Sequence, residues 1–510
     1  MPTNNYDLNT PAEGTTDWHV PLNENFESLD SLLYQLETDG SINDGGVRHA
    51  LEFSGENGGE MIQAAIDDAD SSNGKNVVVV DNHGPDSNGS WLLNEAIRVP
   101  GNTCLILEST RLVLSDGSDD NILRNENIQD GDSDITILGR GTVLDHAGAN
   151  QTRQNTYNDN CITLINVDSF LISGLVIRNA ESRSIQTEGS SNGTIRDIQV
   201  HGRKALRTDA VHITGPATKI VVSGIIGETG DDFLAADATP NPHSAYGGGG
   251  GVSNISFSNC HYNSIKGGGL LRTASGASFV CDGIILENST IGNGQPALRL
   301  GGNDNPDRSQ HKNILVNNVF SESKGIECYH SVMNLYVSQM NAKGGLLDND
   351  QQNMENVQLT NCVAREMTGP AIKITGGTVN NLQMTGISVH DNGTSLSTGI
   401  GFSGSSTTVS NIQASNMLFS GCDTGVSISS AVSTDSVSFD NISGEQVDNM
   451  WDVDPGDVII NNTTVESSNA ELPQGDYAPG TIVVHNDSGD GTGSGTYLLT
   501  PTLNWVQISS

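Results

Sequence analysis

One short pattern recurs along the middle of this chain and constrains its fold more than any other feature. A small residue is followed by an apolar residue, any residue and a second apolar residue, an alternation typical of a β-strand. Successive copies are 20 to 36 residues apart, most often 26 or 28. The copies centre on Ile162, Ile185, Val211, Leu234, Leu270, Leu298, Ile326, Leu346, Ile372, Ile400 and Val426. One coil of that length cannot bury its apolar face alone, whereas stacked coils can, so the repeat predicts a solenoid.

A second short strand lies within the intervals of the repeat. These strands alternate like the first, and the Gly, Asn and Ser residues between strands predict turns. Copies are Asn254–Asn259, Gly283–Asn288, Asn313–Asn318, Asn334–Gln339, Asn356–Asn361 and Asn411–Asn416. We expect the Asn or Gln side chains at the ends of successive strands to stack, each amide bonding the next. The pattern predicts an all-β fold, a single-stranded parallel β-helix.

Over roughly residues 59–450 the chain resembles the pectate-lyase-type right-handed parallel β-helix superfamily. Residues 59–69 fit this resemblance, because their apolar residues at 61, 62, 65, 66 and 69 share one face of a helix. The superfamily closes the open end of its solenoid with such a helix, which shields an exposed strand edge. The resemblance therefore implies a right-handed solenoid with an N-terminal capping helix. Its first coils are Val77–Val80, Leu105–Leu107, Ile135–Leu138 and Thr142–Leu144.

The two ends of the chain differ from the repeats. In residues 1–58, Trp18–Phe26 precedes leucines at 29, 32, 33 and 36, which predicts a short helix with one apolar stripe. That helix either packs on its own β-helix or contacts other subunits near a three-fold axis. Residues 451–472 are polar and predict a linker, and residues 473–510 contain three strand-like segments around Gly and Asp turns. The last unit is too small for a core of its own, so we expect it to need a partner or its own copies.

Small modules on both sides of a β-helix resemble viral tail fibres and tailspikes, and Thr16–Phe26 and Tyr497–Trp505 look like parts of virion tail proteins. The resemblance implies an N-terminal segment that attaches to other virion tail proteins. It also implies a homotrimer, since β-helix tail proteins are commonly trimeric. No run of 18 apolar residues is present, and the first residues lack the basic and apolar regions of a secretory signal. We therefore expect no membrane insertion.

The chain is strongly acidic. Its 61 Asp and Glu residues against 23 Lys and Arg residues give a formal net charge of −38, a field that repels nucleic acid. Few lysines, many aspartates and small core residues are typical of proteins that work in high salt, where charges are screened within about 3 Å. A secreted acidic protein of a mesophile is the alternative. Seven scattered cysteines without a CxxC predict neither a disulfide framework nor a zinc site, and no calcium or phosphate motif predicts a cofactor.

Three aspartates in neighbouring repeats are the strongest catalytic candidates. Asp209 lies in Arg207–Ile213, and Asp231 and Asp232 lie in Thr229–Ala235. Asp209 and Asp232 are 23 residues apart, one coil, and stacked strands are about 4.8 Å apart, so we expect both carboxylates on one solvent-facing surface. Three acids so close cannot all ionise freely, so one pKa should rise and create a proton donor. An inverting glycosidase separates its acid and base by roughly 6.5–9.5 Å, which one coil with a lateral offset could supply.

These segments resemble the Asn-Thr-Asp-Gly and Gly-Asp-Asp motifs of the polygalacturonase-type glycoside hydrolases. The resemblance implies that Asp209, Asp231 and Asp232 are the catalytic carboxylates of an inverting glycoside hydrolase. A solvated acidic ridge, or a degenerate site kept for binding, is the alternative for the same residues, because adjacent acids are common in so acidic a chain.

The sequence departs from that family downstream. The family has a Gly-His-Gly where residues 266–269 read Lys-Gly-Gly-Gly, so His243 in the long insertion or His261 is the candidate replacement. The family's Arg-Ile-Lys has a partial match at Arg299, which points outward by alternation and would bind a sugar carboxylate. Arg272 is a weaker candidate for the same role. The absence of this histidine argues against full catalytic activity but not against sugar binding.

Two functions are consistent with these sequence features. The first is a tail fibre or tailspike of a virus of a halophilic, archaeal host, which recognises a host-surface polysaccharide or S-layer glycoprotein and cleaves the glycan. The second is a free, extracellular glycoside hydrolase of a halophile that acts on acidic polysaccharide. The two end modules and the missing signal favour the virion protein.

If the acidity is an adaptation to salt, the thermal midpoint should rise as NaCl is raised from about 0.1 M to molar concentrations. Screening removes the self-repulsion of the −38 charge, which opposes the compact state. Thermal unfolding followed by circular dichroism measures the trend. A flat or falling midpoint would mean that the acidity has another purpose.

Overall fold

The described chain forms a right-handed, single-stranded parallel β-helix with one α-helix at its N-terminal end, as predicted. The computed structural model describes residues 47–70, 75–154, 156–202, 208–238, 249–263, 267–275, 279–293, 295–301, 310–391, 397–447, 449–453, 458–467, 482–485, 495–499 and 505–509. The helix predicted between residues 18 and 36 lies outside these described residues.

The α-helix, Gly58–Asp70, covers the open end of the solenoid. Asn57 precedes it, and its side-chain oxygen accepts a hydrogen bond of 3.1 Å from the backbone N–H of Glu60, which pairs a free donor of the first turn. One helix face packs on the first strands and hides their edge. The buried residues of this face are Ile62, Ala65, Ile66 and Ala69. Within the described ranges, no helix has the length and apolarity that a membrane crossing needs.

One strand of each coil joins a narrow sheet in which every strand pairs in parallel with the next coil. In the described residues its strands are Ile97–Val99, Leu123–Asn125, Ile162–Ile165, Ile185–Glu188, Val211–Thr214, Leu234–Ala238, Leu271–Ser275, Leu298–Leu300, Ile326–Cys328, Leu347–Asp350, Ile372–Thr375, Thr398–Ser403, Thr424–Ile428 and Asn449–Val453.

The other strands belong to a wide sheet that forms the rest of each coil. Three short 3-10 helices, Ala50–Glu52, Gly148–Asn150 and Tyr157–Asp159, accompany them in the described part. The strands of the wide sheet are Arg48–His49, Asn76–Val80, Trp91–Leu93, Thr103–Leu107, Arg111–Leu114, Asp132–Asp145, Val167–Arg178, Ser191–His201, Ala217–Glu228, Val252–Ser258, His261–Tyr262, Val280–Ile291, Gln310–Ser321, Ser331–Ser338, Asn341–Lys343, Met354–Thr360, Val363–Arg365, Thr378–Thr385, Ser388–His390, Thr408–Ser420, Ser433–Glu445, Val458–Ser467, Ile482–His485, Gly495–Leu499 and Trp505–Ser509.

The register of the narrow sheet makes equivalent residues of successive coils direct neighbours. Val211 pairs with Leu234, and Leu234 pairs with Leu271. These apolar residues point into the solenoid, and the residues between them point outward. On two coils the residue in register lies one position after the residue that the repeat pattern predicts. These residues are Leu271 and Leu347.

The core is a continuous apolar column inside the coils. Its large, fully buried side chains include Trp91, Phe233, Phe257, Phe402, Phe419 and Phe439. Six of the seven cysteines are buried in this column and Cys104 is half-buried, and none of the seven forms a disulfide.

Asparagine amides form a ladder along the wide sheet. Asn334 donates to Asn313 over 2.8 Å, Asn356 donates to Asn334 over 3.0 Å, and Asn381 donates to Asn356 over 2.7 Å. All four have left-handed backbones with φ between 54° and 59°, a conformation that Asn tolerates better than other non-glycine residues. The ladder therefore fixes the tight bend at the start of these strands. The stacking predicted at strand ends occurs for Asn318 on Asn288 and Asn441 on Asn416.

The solenoid continues past the boundary predicted at residue 450. Asn449–Val453 pairs in parallel with Thr424–Ile428, and Val458–Ser467 pairs in parallel with Ser433–Glu445. The linker predicted at residues 451–472 is therefore wrong where these strands lie, because their polar residues alternate with inward apolar ones such as Trp451 and Ile460. The three C-terminal strands follow, and they pair antiparallel with one another.

We expect Asn356→Ala to destabilise the protein by about 2–3 kcal/mol. The change removes two amide hydrogen bonds and replaces Asn by a residue that tolerates the left-handed backbone less well. Asn356→Gly is the matched control, because glycine accepts the backbone and loses only the hydrogen bonds, at a cost of about 1 kcal/mol. Denaturant unfolding measures both. Equal stability of parent and Gly variant would show that the ladder contributes nothing.

Candidate active site

The outer face of the narrow sheet carries two of the predicted aspartates on consecutive coils. Asp209 and Asp232 each lie two residues before the inward residue of their strand, and those inward residues, Val211 and Leu234, are register partners. The two residues therefore stand on adjacent coils, whose strands are about 4.8 Å apart. Their side chains are only 5% and 3% exposed, which corrects the expectation that they point to solvent.

The aspartates are buried because this part of the outer face is itself covered. All residues of Ile162–Ile165, Ile185–Glu188 and Val211–Thr214 are buried, those that point outward included. The segment before the first of these strands lies over them, and Asn160 donates to the outward Gln186 over 2.8 Å. Polar groups on this face are consequently held away from water.

A continuous chain of polar contacts links the aspartates, and we call it the ion-pair chain. It runs Arg183, Asp209, His212, Asp237, Arg272, Asp232. Asp209 Oδ2 lies 3.7 Å from Arg183 Nε and 2.7 Å from His212 Nδ1. Asp237 Oδ2 lies 3.0 Å from His212 Nε2 and 2.8 Å from Arg272 Nη2. Arg272 Nε lies 3.2 Å from Asp232 Oδ2.

His212 stands at the centre of the ion-pair chain. It points outward from Val211–Thr214, is 2% exposed, and pairs in register with Ala235. Each ring nitrogen faces a carboxylate oxygen, so a protonated imidazole would donate to both and a neutral ring to one. In the described residues, the histidine of this site therefore comes from the motif that contains Asp209.

The surroundings hold two of the carboxyl groups ionised. Burial alone would raise the pKa of Asp209, but the hydrogen bond and charge of His212, with Arg183 and Arg272 nearby, lower it. Burial of Asp237 is likewise outweighed by Arg272 and His212, which bring its pKa well below the usual range. In the described part of the chain, the Oδ1 atom of Asp237 is buried without a hydrogen-bond partner.

Asp232 has the opposite environment. Burial is the largest influence and raises its pKa, Arg272 opposes that rise, and the charges of Asp209 and Asp231 add to it, so the pKa is about 6. The backbone N–H of Gly269 donates to Asp232 Oδ1 over 3.0 Å. One raised pKa was expected from like-charge repulsion, whereas burial turns out to be the stronger cause.

Asp231 lies half-buried in the turn before Asp232. Its carbonyl oxygen accepts hydrogen bonds from the Thr229 hydroxyl over 2.9 Å and from the Tyr262 hydroxyl over 2.8 Å. A Cβ atom at Gly268 would lie 1.7 Å from that oxygen, so no side chain fits there. This close approach therefore requires glycine at residue 268.

The predicted substrate-binding residues occupy different places. Arg272 belongs to the ion-pair chain, and Arg299, its register partner on the next coil, lies 3.6 Å from Glu327. His261 stands on the wide sheet, where it contacts the Thr290 hydroxyl over 2.9 Å. His243 lies outside the described residues. Arg272 and Arg299 are thus the two candidates that share the face of the aspartates.

The outward side chains of this face differ in exposure. The His212 side chain is 2% exposed, whereas Arg272 and Arg299 are 30% and 23% exposed. Arg272, which contacts Asp232, is therefore accessible to solvent. Among the described residues, no group of three or more His, Cys, Asp or Glu could hold a metal ion.

Sequence reasoning overlooked Arg183, His212 and Asp237. A signal existed in the register: Arg183 lies two residues before Ile185, the position that Asp209 and Asp232 occupy on later coils. His212 and Asp237 are outward positions of adjacent strands. Motif matching does not use this signal, because it compares residues along the chain and not across coils.

Replacing Asp232 by Asn should stabilise the protein as pH rises. Its raised pKa means that the folded state keeps a proton that the unfolded chain releases near pH 4, so the parent loses stability between about pH 4 and 6. The gain of Asp232→Asn over the parent should grow across that window, by on the order of 3 kcal/mol. Urea unfolding at pH 4 to 7 measures this.

Asp237→Asn is the control of opposite sign. The lowered pKa of Asp237 contributes stability above the unfolded value, so this variant should be less stable than the parent at neutral pH. If Asp232→Asn shows the same pH profile as the parent, the buried carboxyl is ionised and the assignment of its proton is wrong.

Residues 116–320, less than half of the chain, match the family model for Glycosyl hydrolases family 28. The matched range contains all six residues of the ion-pair chain, Asp231 and Arg299. No curated protein matches the chain in sequence.

Among solved structures, a tailspike protein mutant of E. coli bacteriophage HK620 is similar over 80% of this chain and 76% of its own, at 12% identity and a TM-score of 0.54. The same tailspike in complex with a pentasaccharide gives the same coverage and identity with a TM-score of 0.52. A family 28 exopolygalacturonase of Yersinia enterocolitica covers 84% of this chain and 79% of its own at 12% identity, with a TM-score of 0.44. The two tailspike structures show that the chain has the right-handed parallel β-helix fold.

Proposed function

We propose that this protein binds a glycan on the outer face of the narrow sheet and hydrolyses it with Asp232 as acid and Asp209 as base. The observation that carries the proposal is the placement of Asp209 and Asp232 on adjacent coils in surroundings that shift their pKa values in opposite directions. Asp232 has a pKa of about 6, while that of Asp209 is lowered by His212 and Arg183. Pairs of carboxyl groups whose environments separate their pKa values are typical of acid/base catalysis.

The proposed reaction balances as follows. Asp232 gives its proton to the glycosidic oxygen while the bond from that oxygen to the anomeric carbon breaks. Asp209 takes a proton from a water molecule, whose oxygen forms the new bond to the anomeric carbon. Asp231, half-buried beside them, is the helper that faces the sugar. Inversion at the anomeric carbon is the proposed outcome.

Arg272 and His212 are positioning residues in this proposal. Arg272 contacts both Asp232 and Asp237. His212 contacts both Asp209 and Asp237, so the proposed acid and base are connected through Asp237. The family match over residues 116–320 supports glycoside hydrolysis, and a tailspike of the same fold has been solved with a pentasaccharide. Arg299 on the next coil is the proposed contact for the sugar downstream.

We propose further that the chain is a virion tail fibre or tailspike that recognises a polysaccharide or S-layer glycoprotein on a halophilic host. The modules at the two ends of the chain and the net charge of −38 support this setting. The protein would be a homotrimer that joins other tail proteins through residues 1–58. A free, extracellular hydrolase that acts on acidic polysaccharide is the alternative, and the same site would serve it.

Incubation of the purified protein with host exopolysaccharide and S-layer glycoprotein should release oligosaccharides. Asp232→Asn should reduce the cleavage rate roughly 10²–10⁴-fold, because it removes a general acid, and should leave glycan binding intact. Asp452→Asn is the matched control, since Asp452 lies on the outer face of the same sheet far from Asp232. Chromatography of the released sugars measures the rate.

Full cleavage by Asp232→Asn, or no cleavage of any host glycan by the parent, would contradict the hydrolase proposal and leave a receptor-binding fibre. Proton NMR of the fresh reducing ends tests the stereochemistry. Retention of configuration would contradict an inverting mechanism.

A further inference from the structure

One tyrosine of the core contacts the chain on both sides of Asp232. Tyr262 lies on the short strand His261–Tyr262 of the wide sheet, where it is buried and points into the solenoid. Its hydroxyl donates to the backbone carbonyl of Asp231 over 2.8 Å. Its ring stacks on the ring of Phe233, with centroids 4.8 Å apart and planes inclined by 15°. Asp232 is therefore the residue between the two that Tyr262 contacts.

Burial dictates that the Tyr262 hydroxyl has such an acceptor. In the described part of the chain, Tyr262 is the only tyrosine buried in the core. Its register partners on the neighbouring coils are Gly227 and Ile291, which offer its hydroxyl no polar side chain. A phenol oxygen in such surroundings needs a hydrogen-bond partner, because a buried polar group left unpaired destabilises the fold. The carbonyl of Asp231 meets that need.

The turn that carries Asp231 and Asp232 is held from two walls of the solenoid. The Asp231 carbonyl also accepts a hydrogen bond of 2.9 Å from the Thr229 hydroxyl, within the turn itself. The backbone N–H of Phe233 donates to the Gly269 carbonyl over 2.9 Å, on the next coil. Tyr262 adds contacts from the wide sheet. The backbone around Asp232 is consequently fixed by side chains and strands that do not themselves belong to the ion-pair chain.

The position of this turn controls the surroundings of the Asp232 carboxyl group. Gly269 N–H donates to its Oδ1 atom, and Arg272 Nε lies 3.2 Å from its Oδ2 atom. Burial is nevertheless the largest influence, and these surroundings as a whole raise the pKa of Asp232. A turn that moved toward solvent would weaken all of them together. The pKa would then fall toward the ordinary aspartate value of about 3.9.

We propose that Tyr262 is a positioning residue, which holds the backbone on both sides of Asp232 and so keeps its carboxyl group in the buried place beside Arg272. The part that Tyr262 plays in catalysis rests on the proposed function, because Asp232 is the acid proposed there. Its effect on the carboxyl group does not depend on cleavage, since both contacts exist without a substrate. Reacting groups are productive only when packing and hydrogen bonds lock their place, and a displacement of about 1 Å can cost roughly 10²-fold in rate.

Tyr262→Phe tests the proposal, because it keeps the ring and removes the hydroxyl. Urea unfolding of the parent, Asp232→Asn, Tyr262→Phe and the double variant is measured at pH 4 and pH 7. In the parent background the stability gained by Asp232→Asn grows between these pH values, since the raised pKa costs stability as pH rises. In the Tyr262→Phe background that growth should shrink to about half or less, because a lower pKa removes its cause.

Cleavage of host exopolysaccharide gives a second readout. The limb of the pH profile on which the rate falls as pH rises reports the protonated acid. We expect Tyr262→Phe to move this limb to lower pH and to lower kcat at pH 7 roughly tenfold, while KM changes less than about twofold. A variant that only weakened the fold would leave the position of the limb unchanged.

Thr142→Val is the matched control. The Thr142 hydroxyl is buried and donates to the backbone carbonyl of Leu107 over 2.7 Å, three coils before the strand Ala217–Glu228. This variant loses the same kind of hydrogen bond and should leave the pH dependence of stability and of cleavage as in the parent. Thr229→Val removes the other hydroxyl from the Asp231 carbonyl and should shift both in the same direction as Tyr262→Phe.

A folded Tyr262→Phe variant with the pH dependence of the parent would overturn the inference, as would equal effects of Tyr262→Phe and Thr142→Val. If Tyr262→Phe does not fold, an unchanged pH dependence in Thr229→Val overturns it instead. A parent that cleaves no host glycan would contradict the proposed function alone, because urea unfolding still decides whether Tyr262 positions Asp232.

Discussion

The in-register stacking of parallel coils governs everything else in this molecule. Hydrogen bonds between neighbouring strands place equivalent residues of consecutive coils about 4.8 Å apart. On the inside this aligns apolar side chains into one core. On the outside it forces side chains of equal position into contact, so that a carboxylate on one coil must be compensated by a neighbouring coil. The asparagine ladder and the ion-pair chain are two solutions to that constraint, one with neutral amides and one with charges.

Burial makes the ion-pair chain a candidate catalytic site. Removing charges from water is costly, and the ion-pair chain compensates Asp209 and Asp237 with Arg183, His212 and Arg272. Asp232 remains at the end of that chain, where Arg272 is shared with Asp237 and cannot offset burial fully. A carboxyl group of raised pKa beside one of lowered pKa follows from this shortage of cations.

Much of the fold could be predicted from sequence, because the repeat directly reflects the coil. The inward positions at Val211 and Leu234 and the helix Gly58–Asp70 follow from apolar periodicity. The boundary at residue 450 could not be placed, since Val458–Ser467 has polar residues outward and resembles a linker. At the site, Asp209 and Asp232 were found through motif and spacing. Their burial was missed, because it depends on segments from other coils that cover this face.

The most direct test of the account is the protonation state of Asp232 itself. Infrared difference spectra between the parent and Asp232→Asn, recorded from pH 4 to 8 on protein labelled with ¹³C at aspartate carboxyl groups, isolate the band of this single acid. The account predicts a protonated carboxyl band at pH 5 that disappears with an apparent pKa of about 6. A band that has already vanished by pH 5, as for an ordinary aspartate of pKa about 3.9, would contradict it.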